Sequence, residues 1–271
     1  MRDGRFWISA PFVVGLLVVA ILAPLVAPHS PDAMSAAKRF QGSSREFPLG
    51  TDEFGRDILS RLIYGARLSL LVSVASVAIA ATLGTVMGTV AGFRGGVTDL
   101  GIMRVVDAIL SFPAIVLAIF VVVFIGPELQ NLILTIGILY LPRFARIVHG
   151  VTLLAKHYDY VDAARAMGAS DRRILVHAIL PNLKAPAMVQ ISLALGDAIL
   201  LESSLSFLGL GPPPPAPAWG RIIAQSSRFM HLGAHSMIWP SVVISVTVLA
   251  FNVLGDAIRD ALDPRLRGVE S

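Results

Sequence analysis

The sequence predicts an all-α membrane protein with six transmembrane helices, and three observations carry that prediction. Hydrophobic residues make up 55% of the 271-residue chain and charged residues only 15%, with a mean hydropathy of +0.74. A soluble domain carries about 25% charged residues, so the shortfall leaves most of the outer surface to face lipid. Charge-poor runs occupy 8–28, 68–93, 108–127, 129–142, 185–205 and 235–255. Most approach the ~20 residues that cross ~30 Å of hydrocarbon. The run at 129–142 is shorter but continues helically through Arg143 and Arg146, whose long side chains snorkel toward an interface. Six spans put both termini on one side. Placing them in the cytoplasm puts 14 of the 22 Lys and Arg residues there and 8 outside, which is the positive-inside bias. The absence of Cys excludes disulfides and thiolate chemistry.

The first span follows Arg2 and Arg5, as the core of a signal peptide would. Its length, Pro11 and Pro24 and the lack of a clean small-residue cleavage site favour a retained helix. Residues 1–28 thus form the N-terminal tail and first helix. Residues 29–67 form an extracytoplasmic loop and interfacial helix. Residues 68–256 form a five-helix core that contains a cytoplasmic loop at 151–184, and 257–271 a cytoplasmic tail. Segment 29–47 is rich in Pro, Ser and Ala without periodicity. Thr51 or Asp52 suits the N-cap of a helix continuing through Ile58, Leu59, Leu62 and Ile63. That helix reads as interfacial, with direct substrate contact as the other reading.

The second span carries Gly84, Gly88 and Gly92 at four-residue spacing, a face that admits a close helix neighbour in lipid. The sequence does not say whether that neighbour belongs to this chain. Arg94-Gly95-Gly96 makes a turn. A third span from Asp107 to Gly126-Pro127 and a short outer turn lead to the fourth, which Pro142 kinks. In the fifth, Asp197 and Glu202 lie ~18 and ~26 Å from Ala185 at 1.5 Å per residue. Carboxylates at such depth need water or a partner. Asp197, Glu202, Ser203 and Phe207 are therefore candidate linings of a translocation path, with a salt bridge to a neighbouring helix as the alternative. The glycines of Ser206–Gly211 and the prolines at 212–215 cannot continue a helix, so this stretch forms either an outer gate or a stiff connector, with Trp219 as an interfacial anchor. His231 and His235 share a helical face but lack a third ligand, so no metal site is expected. Ser203, Ser204 and Ser206 have no intramembrane His to activate them, so no catalytic residue is expected. A self-sufficient ion-coupled carrier is disfavoured by the absence of an internal repeat.

Residues 160–181 stand out as a charged, alanine-lined, glycine-broken segment between apolar spans. Asp159 suits an N-cap and Asp162 then falls at the third helical position. Ala163, Ala164 and Ala166 favour helix, and Gly168 suits a left-handed C-cap. A second helix starts after Ser170 and ends at Pro181. Two readings stand: a rigid lever lying in a groove of a cytoplasmic partner, or an interfacial amphipathic helix.

Asp162-Ala163-Ala164, Gly168 and Leu180-Pro181 resemble the EAA loop of ABC-transporter permeases. Asp162 stands in place of the usual Glu and Ala178 in place of Ile. The runs Leu49–Asp52 with Gly55–Asp57, Ser206–Gly211 with Trp219-Gly220, and Gly255–Pro264 look like the C-type permease subunit of dipeptide, oligopeptide and nickel importers. The likeness extends from residue 48 to 266. It implies a type I importer permease in a prokaryotic cytoplasmic membrane, paired with a homologous B-type permease. Two ATP-binding subunits would grip Tyr160, Asp162, Ala163, Ala164, Gly168, Ser170 and Pro181, and an extracytoplasmic binding protein would deliver substrate. The implied substrate is a di- or oligopeptide, with nickel or a nickel chelate as the alternative. No Walker A pattern occurs in this chain, so no cofactor is expected here. ATP and Mg would sit on the partner subunits, and nucleic acid is not an expected partner.

Overall fold

The computed structural model describes residues 4–262. The chain order is α1 Gly4–Ile21, α2 Ala23–Val26, α3 Ile58–Arg94, α4 Gly96–Leu110, α5 Ala114–Ile125, α6 Leu129–Ala155, α7 Asp159–Ala166, α8 Asp171–Ile174, α9 Leu180–Phe207, α10 Trp219–Ser227 and α11 His235–Leu262. Among the described residues the extended pairing is one bridge, Thr51 to Asp57. Among the described residues five helical stretches are long and apolar enough to cross a membrane, and a bent pair, taken as one span, makes the sixth.

That bent pair corrects the expected straight span at 108–127. α4 and α5 meet at 91° across Ser111-Phe112-Pro113. Pro113 disfavours helical geometry in the residue before it. At 12 residues, α5 is ~18 Å long, too short to cross alone.

The centre of the bundle is the contact of α3 with α6. The two helices run parallel: Gly84 meets Leu141 and Phe144, Gly88 meets Ala145 and His149, and Gly92 meets His149 and Thr152. A β-carbon at Gly88 would lie 2.3 Å from the Ala145 carbonyl oxygen, so only glycine permits this approach. The neighbour that the sequence left unnamed is therefore a helix of the same chain. α9 runs antiparallel to both, with Leu205 near one end of the shared core and Leu183 packed at the other. A second core joins Ile58 and Leu62 of α3 to Trp219, Ile222 and Phe251 of α10 and α11.

Three further expectations are corrected. The cap of α3 is Asp57, whose carboxylate accepts from the N–H groups of Leu59 and Ser60 at 3.3 and 3.0 Å. The interfacial helix and second span are therefore one 37-residue helix. Trp219 is fully buried rather than interfacial: its indole donates to the Leu62 carbonyl at 2.9 Å, in space left by Gly65. α11 runs past the expected core–tail boundary at 256 to Leu262. The rest of the expected tail, 263–271, including Pro264 of the tail motif, lies outside the described residues, as do residues 1–3.

Candidate functional site

The polar hairpin after α6 has its own start and stop signals. α7 begins one residue earlier in register than the sequence suggests. Tyr158 occupies the N-cap with extended backbone, Asp159 is the first helical residue and Asp162 the fourth. Both acids still lie in the first turn, at the positive end of the helix dipole. Gly168 has φ 78°. The Ala169 N–H donates to the Ala164 carbonyl at 3.0 Å and the Gly168 N–H to that of Arg165 at 2.9 Å, the paired bonds that close a helix through a left-handed residue. A β-carbon at 168 would meet nothing within 4 Å, so backbone conformation alone requires glycine there. The Ser170 hydroxyl accepts from the Arg173 N–H at 3.4 Å and starts α8.

Pro181 does not end the second helix. A wide π turn at Leu175–Ile179 passes directly into α9, where Pro181 is the second residue. Proline is tolerated there because the first turn has no intrahelical acceptor for its N–H. The hairpin is thus continuous with the fifth span. Val161, Ile174, Ile179 and Leu183 bury against Val148 and Ala155 of α6, so it is also seated on the fourth.

Its other face is open. Met167 is 82% exposed and Tyr158 and Tyr160 are each 47% exposed, their rings 5.6 Å apart. Asp162 and Ala163 are exposed, and Ala164 is half-buried. Tyr160 is fixed by its hydroxyl, which accepts from the Asn182 amide at 2.8 Å and donates to the Ala178 carbonyl at 3.3 Å. Ala164, Met167, Gly168, Arg173 and His177 border a shallow cavity of about 360 Å³. A short helix with alanine on its surface, anchored from beneath, has the shape of a knob for a groove.

The candidate path residues of α9 separate. Asp197 accepts from the Arg143 guanidinium of α6 at 2.7 Å, and both side chains are half-exposed. Arg143 had been read as snorkelling, so the sequence missed this partner. Glu202 is fully buried and accepts from the hydroxyls of Ser206, Ser69 and Ser203 at 2.7, 2.8 and 3.4 Å. The expectation that Glu202 lines a water-filled path is corrected: three hydroxyls take the place of water around it. Ser203 is buried and Phe207 exposed. Both border a cavity of about 430 Å³ shared with Ile115, Leu200 and Ser204. Further along α6, Arg146 donates to Asp107 at 2.6 Å and His149 lies 2.8 Å from Asp99, two acids of α4.

At the opposite end of the bundle the run at 49–57, marked in the sequence only by resemblance and a candidate cap, forms a charge cluster with Arg61. Asp52 accepts from Arg56 Nε at 2.6 Å and from Arg61 at 2.5 Å. Arg56 also reaches Glu53 at 3.3 Å, and both arginines reach the Gln225 side-chain oxygen of α10. The loop holding them turns at Gly50 and Gly55, with φ of 81° and 72°. Burial and the neighbouring Asp52 carboxylate push the Glu53 carboxyl above its usual range. His235 Nε2 lies 3.1 Å from the Thr51 carbonyl oxygen, so this imidazole is occupied in holding the loop. Among the described residues no group of three His, Asp or Glu side chains is placed to hold a metal ion.

Residues 84–268 match the family described as "Binding-protein-dependent transport system inner membrane component". The chain is 41% identical over 255 residues to the dipeptide transport system permease protein DppC of Alkalihalophilus pseudofirmus, covering 94% of this chain and 84% of that one. It is 41% identical over 257 residues to the glutathione transport system permease protein GsiD of Pectobacterium atrosepticum, covering 94% and 85%. The fold is similar to a chain of the inward-facing MetNI methionine ABC transporter, with a TM-score of 0.63 and 21% identity, covering 76% of this chain and 98% of that one. Membership of this family accounts for a multi-pass helical bundle. This chain belongs to the inner-membrane permeases of binding-protein-dependent transport systems, with the type I ABC importer fold.

Proposed function

We propose that this chain is one permease half of an ATP-driven importer that moves di- or oligopeptides across the cytoplasmic membrane of a prokaryote, with both termini cytoplasmic. The observation that carries this reading is the α7–α8 hairpin, which is rigid, apolar beneath, open above, and joined without a break to α9. Two ATP-binding subunits, with ATP and Mg between them, grip Tyr160, Asp162, Ala163, Ala164, Gly168 and Ser170. Their closure pushes the hairpin, and α6 and α9 carry the displacement into the membrane. Pro181 lies where that push enters α9. A homologous B-type permease completes the path, and a binding protein delivers peptide from outside. Peptide is preferred to nickel because relatives at 41% identity are named for dipeptide and glutathione transport, and because His235 is committed to the Thr51 carbonyl.

The test is reconstitution of the whole complex, both permeases and both ATPases, in proteoliposomes with the binding protein outside. ATP-dependent accumulation of labelled dipeptide is the expected result. Accumulation of nickel without any peptide would replace the substrate, and transport by this chain alone, without ATPases, would overturn the mechanism.

A further inference from the structure

We propose that Arg143 and Asp197 form a charge-selective station in the translocation path, where ionic groups of a passing peptide exchange with the pair. The proposal rests on the peptide-import reading above and adds to it the residues that meet the cargo. Arg143 lies ~21 Å from the Leu129 end of α6, and Asp197 ~15 Å from the Phe207 end of α9. Those two helix ends lie on the same side of the bundle, so the pair sits near the middle of a ~30 Å hydrocarbon layer. At that depth the side chains are 44% and 46% exposed. Open charge in mid-membrane faces a bundle interior or water, not lipid tails.

The same helix shows what a purely structural carboxylate looks like. Five residues on, Glu202 is sealed by Ser69, Ser203 and Ser206 with nothing left open. Asp197 is treated otherwise. It begins a stripe with Leu200, Ser204 and Phe207, spaced three, four and three residues, which lie along one helical face. The stripe leads to the cavity of about 430 Å³ that Leu200, Ser204 and Phe207 border. Beyond the pair, Arg146 and Asp107 form a second half-exposed ion pair, at 2.6 Å. The stripe thus joins the pair on α6 and α9 to a cavity that α9 shares with Ile115 of α5 and with Ser241 and Ser245 of α11, while the second ion pair links α6 to α4.

The chemistry fits a peptide. The guanidinium fork accepts a carboxylate in two-point contact, and a carboxylate takes an ammonium by charge-assisted hydrogen bonds. The Tyr140 ring, 5.0 Å from the Arg143 guanidinium, steadies it. Each charge neutralises the other between passages, so neither is left bare. A solvent-accessible pair is also weak enough to be exchanged.

The test uses the complete reconstituted complex with binding protein in saturating excess, and reads maximal uptake rates of dilysine and diglutamate. Asp197→Asn is expected to lower the dilysine-to-diglutamate ratio about two- to fivefold, the scale of an accessible ion pair, and Arg143→Gln to raise it. Equal losses for both peptides would make the pair a simple pin between helices, and unchanged rates would place it off the path. Either result overturns the station while leaving peptide import standing. If the unmodified complex carries neither peptide, the import reading falls and the station with it. A second readout uses the absence of native cysteine in this chain. Arg143→Cys is expected to react with a membrane-impermeant thiol reagent in the nucleotide-free complex. Failure to react, while Met167→Cys does so in complex lacking the ATPases, would show that the partner permease covers this face.

Discussion

At the Ile58 end of α3, the charges of Asp52, Glu53, Arg56 and Arg61 pair with one another in a cluster where each residue is under 5% exposed. At the far end of the parallel α6, Asp162 and Arg165 touch only at 3.4 Å and leave 66% and 44% of their side chains open. Both segments are short, polar and glycine-turned, and both connect to long helices. The loop is finished within the chain. The hairpin is finished only below, by Val161, Ile174 and Ile179, and presents its upper surface outward. Charge that is buried and mutually paired indicates internal architecture, and charge left open beside exposed Met167 and Tyr160 is what the proposed ATPase contact requires. Breaking each segment should therefore damage different properties.

The largest effect is expected from Asp52→Ala. It strands two buried guanidiniums, and removing one member of such a network costs about 3–5 kcal/mol. Thermal unfolding in detergent should show a clear drop, and an unchanged midpoint would remove the cluster from the architecture. Next is Gly168→Val. The left-handed conformation costs a non-glycine residue ~1–2 kcal/mol, and no neighbour obstructs the new side chain. Insertion should hold and the unfolding temperature should fall by only a few degrees, while peptide uptake by the complex falls at least tenfold; normal uptake would sink the argument from the cap. Asp162→Lys should leave stability alone and reduce co-purification of the ATP-binding subunits by a few-fold, whereas full recovery of the complex would take Asp162 out of the contact.

The smallest effect concerns Glu53. Its folded-state pKa is raised above the ordinary 4.5, chiefly by burial and then by Asp52, while Arg56 and Arg61 oppose the rise. The folded protein therefore holds this proton more tightly than the unfolded chain. The resulting stabilisation is fully present below the ordinary pKa and is lost as pH climbs through the raised one. Glu53→Gln should flatten that decline, so that stability changes less between acid and neutral pH than in the unmodified chain. A pH–stability curve identical to that of the unmodified chain would show that Glu53 titrates normally.

Much of this architecture was legible in sequence because lipid imposes a simple code. Apolar length marked the long helices, and glycine spacing marked the α3 face that packs on α6. Acid, alanine and glycine at fixed offsets marked the hairpin. What escaped were events decided by tertiary partners. Pro113 bends one apolar run by 91°, yet Pro142, Pro186 and Pro240 sit inside continuous helices, and local sequence does not separate the cases. Trp219 reads as an anchor until Gly65 is seen to make room for it. Glu202 and Asp197 look alike in one dimension. Only the hydroxyl of Ser69, more than a hundred residues away, and the guanidinium of Arg143 tell them apart.

The glycine seam between α3 and α6 has a mechanical consequence. Backbones this close, locked by the carbonyls of Leu141, Ala145 and His149 against Gly84, Gly88 and Gly92, cannot slide past one another without collision. The two rods behave as a single beam. Under the import mechanism proposed above, a force entering where α6 meets the hairpin would pass through this beam to the opposite rim of the protein, where α3 begins at the Asp57 cap.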